Sequence, residues 1–350
     1  MKKMLFVLVL WQCQSVANAQ EQRIWSTEKA NAWYRQQPWL VGCNFIPSTA
    51  INELEMWQAE TFDSAGIDRE LGWAHGIGMN TVRVFLHYIP WRTDPAGFRH
   101  RIDIYLAIAD KNRISTIFVL FDDCWNNDPQ PGKQPAPKPG IHNSGWMQCP
   151  GKKMHDDPNS WADLGAYEKD ILSTYKTDKR VLLWDLYNEP GNSHYDETTL
   201  PLLQKVFAWA WEIRPDQPLT AGLWYSNQAF NEYQLGHSDV ISFHNYEKPD
   251  NLEKQIRQLQ AYGRPLICTE YMARPRGSLF QTQLPVFKKY RVAAVNWGLV
   301  SGKTNTIYQW DTPIPDGSEP KVWFHDIFRK DGTPYDEKET RFIRQITASR

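Results

Sequence analysis

Eight short runs of apolar, β-branched and aromatic residues recur along the 350-residue chain, at 39–45, 81–87, 115–121, 181–187, 219–224, 240–244, 265–269 and 293–297. Each is nearly continuous in its apolar character rather than alternating. That is the pattern of parallel strands covered on both faces. Between most of them the apolar spacing changes to that of a helix. Residues 98–111 carry Ile102, Tyr105, Leu106, Ile108 and Ala109, and 161–175 carry Leu164, Tyr167, Ile171 and Leu172. Residues 200–213 carry Leu203, Val206, Phe207, Ala210 and Trp211, and 252–262 and 279–290 follow the same spacing. Strand–helix units repeated eight times, without sequence repeats, predict an α/β fold: a single (β/α)8 TIM barrel. A doubly wound sheet is the alternative, but its first turn is usually rich in glycine. Here that turn reads Val41-Gly42-Cys43-Asn44.

The first nineteen residues read as a segment outside this pattern. Lys2 and Lys3 precede a short apolar run, and Ala17-Asn18-Ala19 is a small-x-small cleavage pattern. This predicts a signal peptide over 1–19, a catalytic domain over 20–350, and an exported protein, secreted or periplasmic. No later apolar run approaches the ~20 residues of a membrane span. The formal net charge is -1, with no basic block. Nucleic acid and anionic membrane surfaces need clustered Lys and Arg, so neither is an expected partner. The 17 Trp are several times the usual share and suit a partner with flat apolar faces and many hydroxyls. A monomer is expected.

Export permits disulfides. Cys43 and Cys268 lie in strand-like runs and read as buried thiols, whereas Cys124 and Cys149 bracket a polar segment and form either a bridge or two free thiols. That segment, 122–160, holds seven Pro together with Trp125, His142 and Trp146. A connection this long is usually functional or disordered. We read it as an ordered flap over the barrel mouth. No CxxC or HExxH spacing occurs, so neither a metal nor another cofactor is expected.

Two runs end in a carboxylate. Leu182-Leu183-Trp184-Asp185-Leu186-Tyr187 leads into Asn188-Glu189-Pro190, and Pro265-Leu266-Ile267-Cys268-Thr269 leads into Glu270. Burying a carboxylate at a strand end is costly unless something uses it. In a (β/α)8 barrel the C-terminal strand ends line the active-site mouth. Counting strands puts Glu189 on the fourth and Glu270 on the seventh, facing each other. Glycoside hydrolysis needs two opposed carboxylates and no metal. One gives a proton to the leaving oxygen, and the other attacks or activates water.

At this point the chain resembles a known family. Asn188-Glu189-Pro190 after an apolar strand, a later strand ending in Glu270, Arg83 on the second strand, His244-x-Tyr246 on the sixth and Trp297 on the eighth are similar to the clan A glycoside hydrolases. The similarity is to the family-five cellulase- and xylanase-like enzymes of bacteria. It implies that Glu189 is the general acid/base and Glu270 the nucleophile. It implies that Asn188 bonds the sugar 2-hydroxyl, Arg83 keeps Glu270 ionised, Tyr246 donates to Glu270, and His244 sits near the acid/base or the substrate. Trp297 would form a floor under the sugar. Glu189 is expected to have a raised pKa because of the charge on Glu270.

Asp122, at the end of the third strand, departs from the family pattern. It binds either a substrate hydroxyl or a loop cation or Arg. Trp125, Trp224, Tyr225, Trp310 and Trp91 are further candidate sugar contacts, some of them core. The expected activity is retaining hydrolysis of a β-linked polysaccharide or oligosaccharide, like that of cellulases, xylanases or mannanases. A carbohydrate-binding barrel without catalysis and an exo-acting β-glycosidase on short oligosaccharides are the alternatives.

Overall fold

A computed structural model describes residues 23–348. The expected signal peptide lies outside them. Eight parallel strands form one sheet: β1 (Val41–Asn44), β2 (Thr81–Phe85), β3 (Ser115–Asp122), β4 (Val181–Asn188), β5 (Leu219–Thr220), β6 (Ile241–His244), β7 (Leu266–Glu270) and β8 (Ala293–Asn296). Their order is β5-β4-β3-β2-β1-β8-β7-β6. Each falls within, or one residue beyond, a run expected from the sequence. Together with the helices around them they make a (β/α)8 barrel.

The sheet closes between β5 and β6 by one residue. β5 is only two residues long, and the chain leaves the ladder at Ala221 and Gly222. It returns at Leu223, whose N–H donates to Ser242 O (3.0 Å) and whose carbonyl accepts from His244 N (2.8 Å).

Side-chain direction follows the pleat. Val82 and Val84 of β2 join the large apolar layer under the helices, while Arg83 and Phe85 point inside. One end of the interior is plugged by Leu40, Ile117, Leu183, Val240, Ile267 and Val295. The helices on the outside begin and end where the sequence provides for it. In Pro95–Lys111, Pro95 occupies the first turn, where its missing N–H costs nothing. The Asp94 carboxylate caps the helix by accepting from Gly97 N at 2.9 Å.

The 122–160 connection is ordered and lies at the strand-end face. Its two cysteines are free, so the possible bridge between them does not exist. Backbone pairing holds the loop instead: Asp122 and Cys149 exchange N–H···O bonds of 2.8 and 2.9 Å. The two thiols face different partners, Cys149 Sγ accepting from Tyr88 N and Cys124 Sγ donating to Glu189.

A second long segment, between β8 and the last helix (Glu337–Ala348), packs against the first. Asn143 N donates to Thr304 O (2.8 Å), and Ile314 N donates to Gly140 O (3.0 Å). Gly140 has φ +67°, and a Cβ there would lie 1.7 Å from Ile314 O. Only glycine allows that approach.

Candidate active site

Above the apolar plug the barrel interior becomes polar, and Arg83 organises it. Its guanidinium is fully buried. Nε donates to Asp185 Oδ2 (2.9 Å), one terminal nitrogen donates to Asn44 Oδ1 and Glu270 Oε1 (2.9 Å each), and the other donates to Asn188 Oδ1 (2.6 Å). A buried cation needs this many partners, because an unpaired charge in low dielectric is very costly. Arg83 therefore sits behind Glu270 and does not line the cleft as a substrate contact. It is at once a structural salt-bridge residue and the electrostatic support of Glu270.

Glu270 reaches this layer through an irregularity. The β6–β7 register shifts between Phe243 and His244, so that His244 pairs with Glu270 and Thr269 is the extra residue. Such bulges re-aim side chains. Glu270 Oε2 then accepts from Tyr246 OH at 2.8 Å.

Glu189 takes a different route. Its backbone has φ +42°, left-handed and uncommon for a non-glycine residue. The turn that holds it is pinned by Asp123. That carboxylate accepts from Gly191 N (2.8 Å), Thr199 Oγ1 (2.7 Å) and Tyr187 OH (2.7 Å). Glu189 Oε2 accepts from the Asn192 amide and from Cys124 Sγ (3.2 Å), and Oε1 lies 2.8 Å from His244 Nδ1.

Carboxylate oxygens of Glu189 and Glu270 and a ring nitrogen of His244 all lie within 4.8 Å of one another. Carboxyl groups ~5–5.5 Å apart suit a retaining mechanism, whereas inverting pairs stand ~6.5–9.5 Å apart. The trio offers the donor types of a metal site, but the Arg83 guanidinium on Glu270 already supplies the compensating positive charge and opposes a second cation.

The electrostatics differ from the sequence expectation in two ways. Glu189 does have a raised pKa, but burial is the main cause and the Glu270 charge is not. Glu270 is raised as well: burial and the Glu189 charge outweigh the lowering by His244, Arg83 and the Tyr246 hydrogen bond. Burial pushes His244 down to about 4, so the imidazole is neutral near pH 7. Tyr246 is pushed well up by burial and the two carboxylates, so it remains a donor.

These groups open into a cavity of about 1240 Å³. Trp125, Trp224, Tyr225, Trp297 and Trp310 line it, as do Asn188, His244 and Tyr246. Trp297 sits edge-on to Phe85 (5.8 Å) and Trp146 (5.4 Å) at the base. Trp125 is 39% exposed, has φ +70° and packs on His142 with centroids 5.5 Å apart. A bulky residue in that conformation is a true outlier, of the kind found where function holds it.

Two expected contacts fall elsewhere. Asp122 is buried, does not line the cavity and pairs with no Lys or Arg among the described residues. It accepts from Asn188 Nδ2 (2.8 Å), Trp146 Nε1 (2.8 Å) and Cys124 N (3.0 Å), and so orients two site residues from beneath. Trp91 packs on Tyr88 and Tyr167 and donates to Asp170 Oδ2 at 2.7 Å, away from the cleft.

Asn44, Asp123, Cys124, Asp185 and Asn192 were not assigned by sequence reasoning. A signal existed for Asp185: a charge inside an otherwise apolar strand requires a buried partner, and Arg83 inside β2 has the same need. None existed for Asn192 or Cys124, whose place depends on how two loops fold.

No protein-family model matches the chain, and no curated protein matches it. Solved structures do. The GH5_18 protein from Streptomyces cattleya, in complex with Manb1-4GlcNAc, superposes with a TM-score of 0.63 at 12% identity, covering 89% of this chain and 80% of that one. The endo-beta-1,4-mannanase from Thermotoga petrophila gives 0.57 at 15% identity, with 88% and 76% covered. The exo-beta-1,4-mannosidase Op5Man5 from Opitutaceae bacterium strain TAV5 gives 0.63 at 16% identity, with 88% of this chain but 59% of that one covered. In fold, this chain is a (β/α)8 barrel similar to those of the family-five glycoside hydrolases of clan A.

Proposed function

We propose that the protein is a retaining β-glycoside hydrolase acting on a β-linked oligosaccharide or polysaccharide. The observation that carries this reading is the pair Glu189 and Glu270, with oxygens within 4.8 Å across the mouth of the barrel. In the first step Glu270 attacks the anomeric carbon. A carbon–oxygen ester bond forms as the bond to the leaving oxygen breaks, and that oxygen takes the proton of Glu189. In the second step water adds to the same carbon, returns a proton to Glu189 and releases Glu270.

Each carboxyl is equipped for its part. Arg83, through a charged hydrogen bond, and Tyr246, through its hydroxyl, each donate to Glu270, which favours its ionised form against the burial that opposes it. Glu189 has two donors on Oε2, Asn192 and Cys124, which leaves Oε1 as the oxygen that carries the acid's proton beside His244. The neutral imidazole accepts a hydrogen bond from Oε1 in one tautomer and donates one in the other, so it can partner Glu189 both as acid and as base. Asn188 has its carbonyl on Arg83 and its amide nitrogen on Asp122 and on the weak acceptor Cys124 Sγ, 3.4 Å away. A sugar hydroxyl, a stronger acceptor than sulfur, would replace the Cys124 contact.

The apolar face of the bound ring would lie on Trp297. Similar structures include an endo-beta-1,4-mannanase and an exo-beta-1,4-mannosidase, so β-mannan oligosaccharides head the substrate panel, with β-glucan and xylan beside them. The leader-like start of the sequence supports export of the enzyme. The test is hydrolysis of aryl β-glycosides with the first-formed anomer read by NMR. A retained β-anomer supports the reading, and an inverted product or no turnover of any β-glycoside rejects it.

A further inference from the structure

The acid/base carboxyl shares a hydrogen-bond chain with a thiol. Cys124 follows β3, and its N–H donates to Asp122 Oδ1 (3.0 Å), which fixes where the side chain emerges. Its Sγ lies 3.2 Å from Glu189 Oε2 and 3.4 Å from Asn188 Nδ2. The residue is 8% exposed and lines the catalytic cavity. Cys43, Cys149 and Cys268 do not line it. Cys149 accepts from Tyr88 N, and Cys268 donates to the backbone carbonyl of Glu270. Among the described residues, Cys124 is thus the thiol that meets a catalytic carboxylate.

The direction of this chain follows from the donor and acceptor types. An amide nitrogen can only donate, so the sulfur accepts from Asn188. The thiol has one hydrogen, and Glu189 Oε2 is its acceptor. Burial and the charges of Asp122, Glu189 and Glu270 hold the thiol well above its ordinary range, so that hydrogen stays on sulfur. A donor on a carboxylate favours the ionised form. A donor that itself accepts a hydrogen bond is polarised by it and donates better. Asn188 is anchored on Arg83 and Asp122, and it keeps its amide on Sγ until a stronger acceptor arrives. A serine hydroxyl in this place would compete with a sugar hydroxyl for that amide. Sulfur fills the contact in the free enzyme and yields it to the sugar.

We propose that Cys124 is a positioning residue that couples sugar binding at Asn188 to Glu189. When a sugar hydroxyl takes the Asn188 amide, the thiol donates less strongly and Glu189 keeps its proton more firmly. The proposal rests on the glycosidase reading above. It makes the substrate set the acid that the first step needs. The other titratable groups around Glu189 are His244 on β6, Tyr246 beyond it, Glu270 on β7 and Arg83 on β2. Asp122 on β3 faces Cys124 and Asn188 from beneath. Arg83 also reaches Asn188, but on its carbonyl, not on the amide that a sugar takes.

The first measurement is the S–H stretch of Cys124, isolated by infrared difference between the full chain and its Cys124→Ala variant. Its frequency falls as the thiol donates more strongly. The probes are hydrolysis-resistant S-linked β-manno-, β-gluco- and β-xylo-disaccharides, with binding read by calorimetry. A bound probe is expected to raise the frequency. The second measurement is the basic limb of kcat/KM for an aryl β-glycoside, which reports the proton on Glu189 in the free enzyme. Cys124→Ala removes a donor from the ionised carboxylate, so the limb should move up by about 0.5–1 pH unit. Cys124→Ser should bring it back toward the parent. A bound probe that leaves the band unmoved overturns the coupling. So does a limb that is the same in the parent and Cys124→Ala, or one that moves equally in Cys124→Ala and Cys124→Ser. Failure of all three probes to bind overturns it too, whatever the turnover. A band that moves on binding in a protein that turns over no β-glycoside keeps the link from Asn188 to Cys124 and removes the glycosidase. Turnover with an unmoved band and limb does the reverse.

Discussion

The two ends of the barrel interior are built from the same strands and do opposite work. β7 carries Ile267 into the apolar plug and, three residues later, Glu270 into the polar layer. β4 carries Leu183 into the plug and Asp185 and Asn188 onto Arg83. At the plug, burial itself stabilises, because apolar surface leaves water. In the polar layer burial works against the ionised groups. It pushes the carboxyls of Glu189 and Glu270 up and the His244 imidazole down. Paired charges hold that layer together but add little net stability over an apolar replacement. The contrast teaches that this barrel's stability and its chemistry are separable along a single strand.

The largest separation should appear in β7. Glu270→Ala is expected to lower turnover of every β-glycoside by at least about 10⁴-fold, as removal of a nucleophile does, while the protein remains folded. Ile267→Ala, in the plug, should cost about 2–5 kcal/mol in denaturant unfolding and leave the product anomer unchanged. An active Glu270→Ala, or an Ile267→Ala of unaltered stability, would break the comparison.

Glu189→Ala should show an effect graded by leaving group. Substrates with poor leaving groups should lose about 10²–10⁴-fold, and activated aryl glycosides much less. Added azide should release a glycosyl azide of retained configuration, read by NMR. An inverted azide from this variant, or a retained one only from Glu270→Ala, would exchange the two roles.

Asp185→Asn tests the shared border of the two regions. Arg83 keeps Glu270 but loses its other charged partner, and the imperfectly compensated guanidinium lies in the barrel's centre. The expected cost is about 3–5 kcal/mol of stability. The acid limb of the kcat/KM profile should also move to lower pH, because the guanidinium is then shared with fewer anions and favours the ionised Glu270 more strongly. A loss of stability with an unmoved pH profile would make Asp185 structural only.

The smallest effect is in the pH dependence of stability. Glu189 has its pKa raised in the folded protein, so between its unfolded and folded values the native state binds more protons than the unfolded state. Stability from this group is full below the unfolded carboxyl range and is lost as pH rises through the folded value. Glu189→Gln cannot ionise. It should therefore gain melting temperature over the parent at pH 7–8 and gain less, or nothing, near pH 4. A gain that is equal at both pH values would show that ionisation of Glu189 is not what strains the site.

Much of this was legible in the sequence because the physics was local. A continuous apolar run must be a covered strand, and a carboxylate at its end must be used. That placed Glu189 and Glu270 and the barrel around them, while Arg83 entered through the family resemblance. What stayed hidden depends on how distant segments meet. Cys124 and Cys149 bracket a loop as a disulfide would, but Cys124 turns toward Glu189 and Cys149 toward Tyr88. Asp122 looks free at a strand end, yet Asn188 and Trp146 occupy both its oxygens. The wall after β8 carries no regular periodicity, and only its contacts with the first loop give it a place.

The single-residue closure at Leu223 has a consequence for motion. A closed barrel opens most readily where its ladder is shortest, and here that is two backbone bonds between Leu223 and its neighbours on β6. The β3–β4 ladder, by contrast, runs from Thr116 to Asp122. Fluctuations of the barrel are therefore concentrated at one seam, between β5 and β6. The molecule breathes like a clasp rather than a hoop. Each opening of that clasp parts the arm that carries Glu189, after β4, from the arm that carries His244 on β6 and Glu270 on β7.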